Sequence, residues 1–132
     1  MNVFTLSESP VEEQVRQLER GLPGQTLGQI ARKLGVSEKT LISSLRFSQR
    51  TMTARKAAGE RLTMSESERM LRVARVRNAA AEIFTNDAAI AEWLSSPDSA
   101  LGGRTPLEML ATDIGSRKVE NLVQAMAHGV PV

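Results

Sequence analysis

Apolar positions recur along this chain every three and four residues. Leu27, Ile30, Ala31 and Leu34 stand at i, i+3, i+4 and i+7, one face of an α-helix. The same spacing predicts helices over residues 10–20 (Val11, Val15 and Leu18 inward), 37–45 (Leu41, Ile42, Leu45) and 66 to about 84 (Met70, Leu71, Ala74, Ala81, Phe84). Beyond a break at SSPDSALGG it predicts two more, over 106–112 and over 117–128, the latter burying Val119, Leu122, Val123 and Met126. Ahead of that break, 87–94 carries Ile90, Trp93 and Leu94 on one side, which reads Trp93 as core. A short basic helix is expected over 49–58. Strand-like alternation is nowhere sustained, so the expected fold is all-α.

Punctuation supports the helices. S/T-x-x-E/Q boxes at Ser9–Glu12, Thr26–Gln29, Ser65–Glu68 and Thr105–Glu108 mark helix starts. Gly21, Gly35, Gly59 and Gly129 stand just past apolar-periodic runs, where a left-handed residue ends a helix. The stretch LGGRTPLEML (101–110) invites a phosphate-loop reading. It lacks the spacing of nucleotide loops, however, and no strand precedes it. Thr105 as cap, Pro106 at the first helical position and Glu108 reaching back explain it as a helix start.

One segment adds a motif to this pattern. LGQIARKLGVSEKTL (27–41) has helix-turn-helix spacing: Ala31 is small where two helices cross, Gly35 makes the turn, and Val36 and Leu41 tuck inward. LGVSEKTL (34–41) then returns eleven residues later as LRFSQRTM (45–52). Either copy could begin a helix that reads DNA. The first would present Lys39, Thr40, Ser43 and Ser44, and the second Gln49, Arg50, Thr51 and Thr53, with Arg55 and Lys56 behind. Turn chemistry favours the first copy, because Gly35 accepts a left-handed conformation and Arg46 does not. Charge favours the second: Arg46, Arg50, Arg55, Lys56 and Arg61 face a single acid, Glu60. The second copy is preferred, with the first assisting from the backbone side.

Charge also divides the chain of 132 residues. Up to Asn78 there are fourteen Lys or Arg against eight Asp or Glu, and from Ala79 three against seven. A basic half suits nucleic acid and a mildly acidic, apolar one suits a protein partner. Cysteine is absent, which excludes disulfides and thiolate metal sites. No apolar run approaches the ~20 residues of a membrane span, and MNVFTLSESP has no basic end or long apolar run of a signal peptide. A cytoplasmic protein that does not engage membranes is expected.

ERLTMSESERMLRVARV (60–76), AEWLSSPDSALGGRTPLEMLATDIGSRKVENLV (91–123) and the closing HGV (128–130) resemble antitoxins of the Xre/MbcA/ParS type. The resemblance implies an N-terminal helix-turn-helix region (1–64) and a helical toxin-binding domain (65–132), joined by a long helix at about 66–84. It implies as partners a RES-domain toxin that attacks NAD and whose active-site cleft the antitoxin blocks, and operator DNA through which the complex represses its own operon. The family's S-x-R-T pattern matches Ser48, Arg50, Thr51, Met52, Arg55 and Lys56. Where the family has glycine this chain has Arg46, a departure that predicts a looser turn.

Candidate DNA-binding residues are therefore Lys39, Thr40, Arg46, Gln49, Arg50, Thr51, Thr53, Arg55 and Lys56. Candidate toxin contacts are Gly102, Gly103 and Arg104 in the loop, and Arg117, Lys118, Glu120, Asn121, Gln124 and His128 on the last helix, with the terminal GVPV assisting. A homodimer is expected, since helix-turn-helix proteins match two-fold half-sites. No catalytic group, cofactor or metal site is expected: the lone His128 sits in a final helical turn, where a cation is favourable in itself. The competing readings are a plain regulator whose C-terminal half only dimerises and, more remotely, an enzyme using the GGRT loop on a nucleotide.

Overall fold

The computed structural model describes residues 2–129. Among these it contains nine α-helices and one 3-10 turn: α1 (Val3–Leu6), α2 (Val11–Arg20), α3 (Thr26–Leu34), α4 (Glu38–Ser44), α5 (Gln49–Ala58), α6 (Met64–Ala80), α7 (Asp87–Ser95), the turn Ser99–Leu101, α8 (Pro106–Met109) and α9 (Asp113–Ala127). No sheet forms among the described residues; Pro23 and Arg61 make an isolated bridge. The all-α class and the helix-turn-helix region ahead of a C-terminal helical domain stand as expected.

The spine is α6. It buries Met70, Leu71, Val73, Ala74, Val76 and Ala80, and α1, α2, α3 and α9 all pack on it. Three arginines spaced one helical step apart lace it to the rest of the molecule. Arg69 Nη1 donates to the Leu45 carbonyl (3.2 Å), Arg72 Nη1 to the Leu110 carbonyl (2.8 Å), and Arg75 Nε to Glu120 Oε1 (2.6 Å). Further along, Asn78 Nδ2 donates to the Phe4 carbonyl (2.9 Å) and to Ser7 Oγ (2.7 Å), while Arg77 pairs with Asp87. One helix thus holds polar groups from both halves of the chain.

Several local expectations need correction. Val11 and Val15 do not face inward; they are 69% and 46% exposed. The inward side of α2 carries Gln14, Gln17 and Leu18 instead, because Gln14 Nε2 donates to the Ser7 and Ser9 carbonyls and so sets the helix's rotation. Helix α1 has no counterpart in the sequence reading; Asn2 Oδ1 caps it at Thr5 N–H (2.9 Å), and Val3 and Leu6 are buried.

Of the four capping boxes, only Thr105–Glu108 forms. Ser9 Oγ turns back to the Thr5 carbonyl, and Thr26 is buried inside the first turn of α3. The box of α6 sits two residues earlier than read, with Thr63 N–H donating to Glu66 Oε1 (2.8 Å) and Glu66 N–H to Thr63 Oγ1 (3.1 Å). At its other end α6 stops at Ala80, leaving Ala81 exposed and Phe84 in a turn packed against Trp93, ring centroids 5.4 Å apart. Helix α9 starts at Asp113, four residues before the predicted start. Gly115 permits this: a Cβ there would lie 2.0 Å from the Met109 carbonyl oxygen, so only bare backbone lets α9 close on the end of α8.

Candidate functional site

The internal repeat is a repeat of geometry. Helix α3 ends at Gly35 (φ 66°), and the Val36 N–H returns to the Ala31 carbonyl (3.0 Å) before Ser37 Oγ caps α4 at Thr40 N–H (3.0 Å). Helix α4 ends at Arg46 (φ 59°), and the Phe47 N–H returns to the Ile42 carbonyl (3.0 Å) before Ser48 Oγ caps α5 at Thr51 N–H (3.1 Å). The second turn is therefore not looser than the first. Arg46 is the one non-glycine residue with positive φ among the described residues, and it takes a conformation that costs an L-residue roughly 1–2 kcal/mol. The Arg69 guanidinium secures the turn, bonding the Leu45 carbonyl while lying 4.7 Å from the centroid of Phe47.

Helix α5 packs on α4, with Met52 as its buried residue. Gln49, Arg50, Thr51 and Thr53 are exposed together on it, and Arg46 is exposed at its entrance. Lys39 and Thr40 lie exposed at the start of α4. Arg55 and Lys56 are differently placed. Arg55 is paired with Glu66 (3.1 Å) and Glu60 (3.5 Å), and Lys56 bridges to Glu38 on α4 (2.9 Å). These two cations fasten α5 to its neighbours, a use that partners eleven and eighteen residues away conceal in a linear reading.

In the C-terminal half, α9 presents one exposed strip: Arg117, Lys118, Asn121, Gln124 and His128. Glu120 is not part of it, since its carboxylate turns to Arg75 on α6. The sequence reading missed Ile114, which begins the same strip and is 82% exposed; its signal was its place at i−3 and i−4 to Arg117 and Lys118. A shallow cleft lined by Ala100, Lys118, Asn121, Leu122 and Ala125 joins the strip to the 98–104 loop. Val130, Pro131 and Val132 lie outside the described residues.

That loop is closed on itself. Asp98 N–H donates to the Arg104 carbonyl (3.0 Å), Gly103 N–H to the Asp98 carbonyl (2.9 Å), and Ala100 N–H to Asp98 Oδ1 (2.9 Å). Gly102 and Gly103 are exposed at its tip, and Arg104 is exposed at its exit. There the Glu108 carboxyl is held below its ordinary pKa of 4.5, first by hydrogen bonds from Thr105 and then by the charges of Arg104 and Arg46. The loop's Ala100 end therefore borders α9, and its Arg104 end leads into α8, which packs against α4.

Among the described residues no cluster of acidic or histidine side chains could hold a metal, and no helix is long and apolar enough to cross a membrane.

Residues 13–75 match the antitoxin Xre-like helix-turn-helix domain, and residues 79–129 the antitoxin Xre/MbcA/ParS C-terminal toxin-binding domain. Antitoxin Xre of Yersinia enterocolitica is 39% identical over 82 residues, covering 61% of this chain and 55% of the relative. Antitoxin Xre of Pseudomonas putida is 34% identical over 80 residues, covering 61% and 50%. The chain spans about half the length of the curated relatives it matches. A chain of the crystal structure of the M. tuberculosis MbcT–MbcA toxin–antitoxin complex superposes with a TM-score of 0.59 at 29% identity, over 83% of this chain and 96% of its own.

Proposed function

The chain belongs to the Xre/MbcA/ParS antitoxins, and on that premise we propose that it is the inhibitory member of a type II toxin–antitoxin pair that also represses its own operon. Its toxin is a RES-domain, NAD-consuming protein, and inhibition is steric. The antitoxin covers the toxin's active-site cleft and performs no reaction itself, so the chain is not an enzyme and acts in the cytoplasm. The observation that carries this reading is the succession of the two matched segments, 13–75 and 79–129, which are separated by three residues within α6.

Function divides at residues 64/65, with α6 common to both halves. On the C-terminal side the exposed strip of α9, from Ile114 to His128, supplies the toxin contact, with the Ala100 cleft beside it. An isoleucine exposed at the head of a strip that continues through Arg117, Lys118 and Asn121 offers a protein partner an apolar anchor flanked by polar groups. On the N-terminal side α5 enters the DNA major groove with Gln49, Arg50, Thr51 and Thr53, while Lys39 and Thr40 approach from α4. A homodimer matches the two half-sites, and the exposed Val11 and Val15 of α2 offer it an apolar strip.

Co-expression tests the antitoxin reading. If a RES-domain protein is encoded beside this chain, cells producing it should lose NAD and stop growing. Supplying this chain should restore both, and a substitution Ile114→Glu should abolish the rescue. Undiminished NAD loss in cells carrying the unsubstituted chain rules the reading out.

A further inference from the structure

We propose that the DNA-contacting surface does not end with α5 but crosses onto the C-terminal half, where Arg104 grips a phosphate beside the one held by Arg46. The proposal rests on the DNA-binding reading above and extends it to a loop that the sequence assigned to a protein partner.

Three observations converge. The first is a shortage: Arg55 and Lys56 are engaged with Glu66, Glu60 and Glu38, so α5 itself offers a phosphate backbone little free charge. Arg46, Arg50 and Arg104, by contrast, are exposed and form no ion pair among the described residues. The second is strain. Arg46 takes the left-handed conformation that Gly35 takes in the first copy of the repeat, and sparsely populated backbone conformations concentrate where a side chain has a task. An arginine there extends from the turn immediately before the groove-entering helix, the place from which helix-turn-helix proteins touch flanking phosphates.

The third is proximity. Helices α4 and α8 pack together, and Arg69 and Arg72, three residues apart on α6, fix the Leu45 and Leu110 carbonyls at the ends of those two helices. Helix α8, which begins just past Arg104, thereby packs against α4, which leads into the Arg46 turn, and the charges of Arg104 and Arg46 both act on the Glu108 carboxylate. Glu108 is the acid facing this patch, and its carboxylate is engaged by the Thr105 N–H (3.0 Å). At the loop tip a Cβ added to Gly102 or Gly103 would find nothing within 4 Å, and Arg104 beside it is exposed. A guanidinium's paired N–H groups match two phosphate oxygens, which suits this geometry to nucleic acid.

The test uses the full chain and two fluorescent duplexes, one from the sequence immediately upstream of its own reading frame and one of the same composition shuffled. Affinity is followed by anisotropy against KCl concentration. Arg104→Ala should lower the slope of log K against log salt by about 0.9 on both duplexes, the signature of one lost phosphate contact. Arg104→Lys, which keeps the charge, should retain most of the slope. Thermal melting of each variant, monitored by circular dichroism, should match the parent. An unchanged slope in Arg104→Ala, alongside a reduced one in Arg50→Ala, would confine the DNA surface to α5 and overturn the proposal. If the unsubstituted chain binds neither duplex, the DNA-binding reading itself fails.

Discussion

Replacing Arg46 by glycine should make the protein more stable and its grip on DNA weaker. A left-handed residue with a Cβ carries roughly 1–2 kcal/mol of strain, and glycine removes it. Against this, glycine widens the unfolded ensemble by roughly 0.5–1 kcal/mol. The Arg46 side chain is exposed and makes no ion pair among the described residues, so little else is lost. The net gain is about 0.5–1 kcal/mol, which for a chain of this size raises the melting temperature by roughly 2–4 °C. Gly35→Ala is the mirror experiment. An added Cβ would meet Ala91 Cβ at 3.8 Å, an ordinary contact, so the left-handed strain acts alone and melting should fall by a similar amount. Calorimetric melts of the parent and both variants measure the pair of shifts. A lower melting temperature for Arg46→Gly would show that the arginine supports the turn and is not strained by it. In the anisotropy titration the same variant should lose about 0.9 of the salt slope. A gain of stability without that loss would refute the task assigned to the strain.

Other positions give independent checks. Gly115→Ala drives a Cβ into the Met109 carbonyl at 2.0 Å, and should cost roughly 1–3 kcal/mol by urea titration as α9 is pushed off α8. Met52→Ala removes the buried side chain of α5; hydrogen exchange should then show amides 49–58 losing protection while those of α6 keep theirs, and duplex binding should fall with them. Glu108 has its folded pKa depressed, so the stability it adds is fully present above its ordinary 4.5 and disappears as pH falls through the lower folded value. The difference in melting temperature between the parent and Glu108→Gln should accordingly shrink on acidification below that pH and stay constant above it.

What could be read in advance, and what could not, divides along physical lines. The α3–α4–α5 unit was legible because its signals are local: Ser37 and Ser48 cap the helix that follows them, Gly35 turns the chain, and Leu27, Ile30, Ala31 and Leu34 share one face. Misreadings arose where a distant group decided the outcome. Counting valines turned α2 the wrong way, since Gln14 finds its partners on the preceding loop. The start of α9 is hidden in the sequence because Gly115 and Ser116 break an apolar pattern, although both are buried, Gly115 against the end of α8. The basic run after Ser48 looked like one uniform DNA footprint, and only folding brings Glu38 and Glu66 to Lys56 and Arg55. The exposed strip on α9 was legible in outline from its period, yet the period alone showed neither that Glu120 pairs with Arg75 nor that Ile114 stands exposed.

The row of Arg69, Arg72 and Arg75 limits how this molecule can be taken apart. A chimaera built to exchange one partner specificity for another would naturally be joined at residue 64, the division proposed above. Such a seam severs α4 from the guanidinium that holds its last carbonyl, and takes from α1, with its buried Val3 and Leu6, and from α3 the surface of α6 on which they pack. Moved beyond Ala80, the seam carries the whole row with the N-terminal part. The incoming segment must then bring a carbonyl for Arg72 and an acid for Arg75 at the heights where Leu110 and Glu120 now stand. Transplantable specificity in this architecture is thus a question of matching two rungs on one helix.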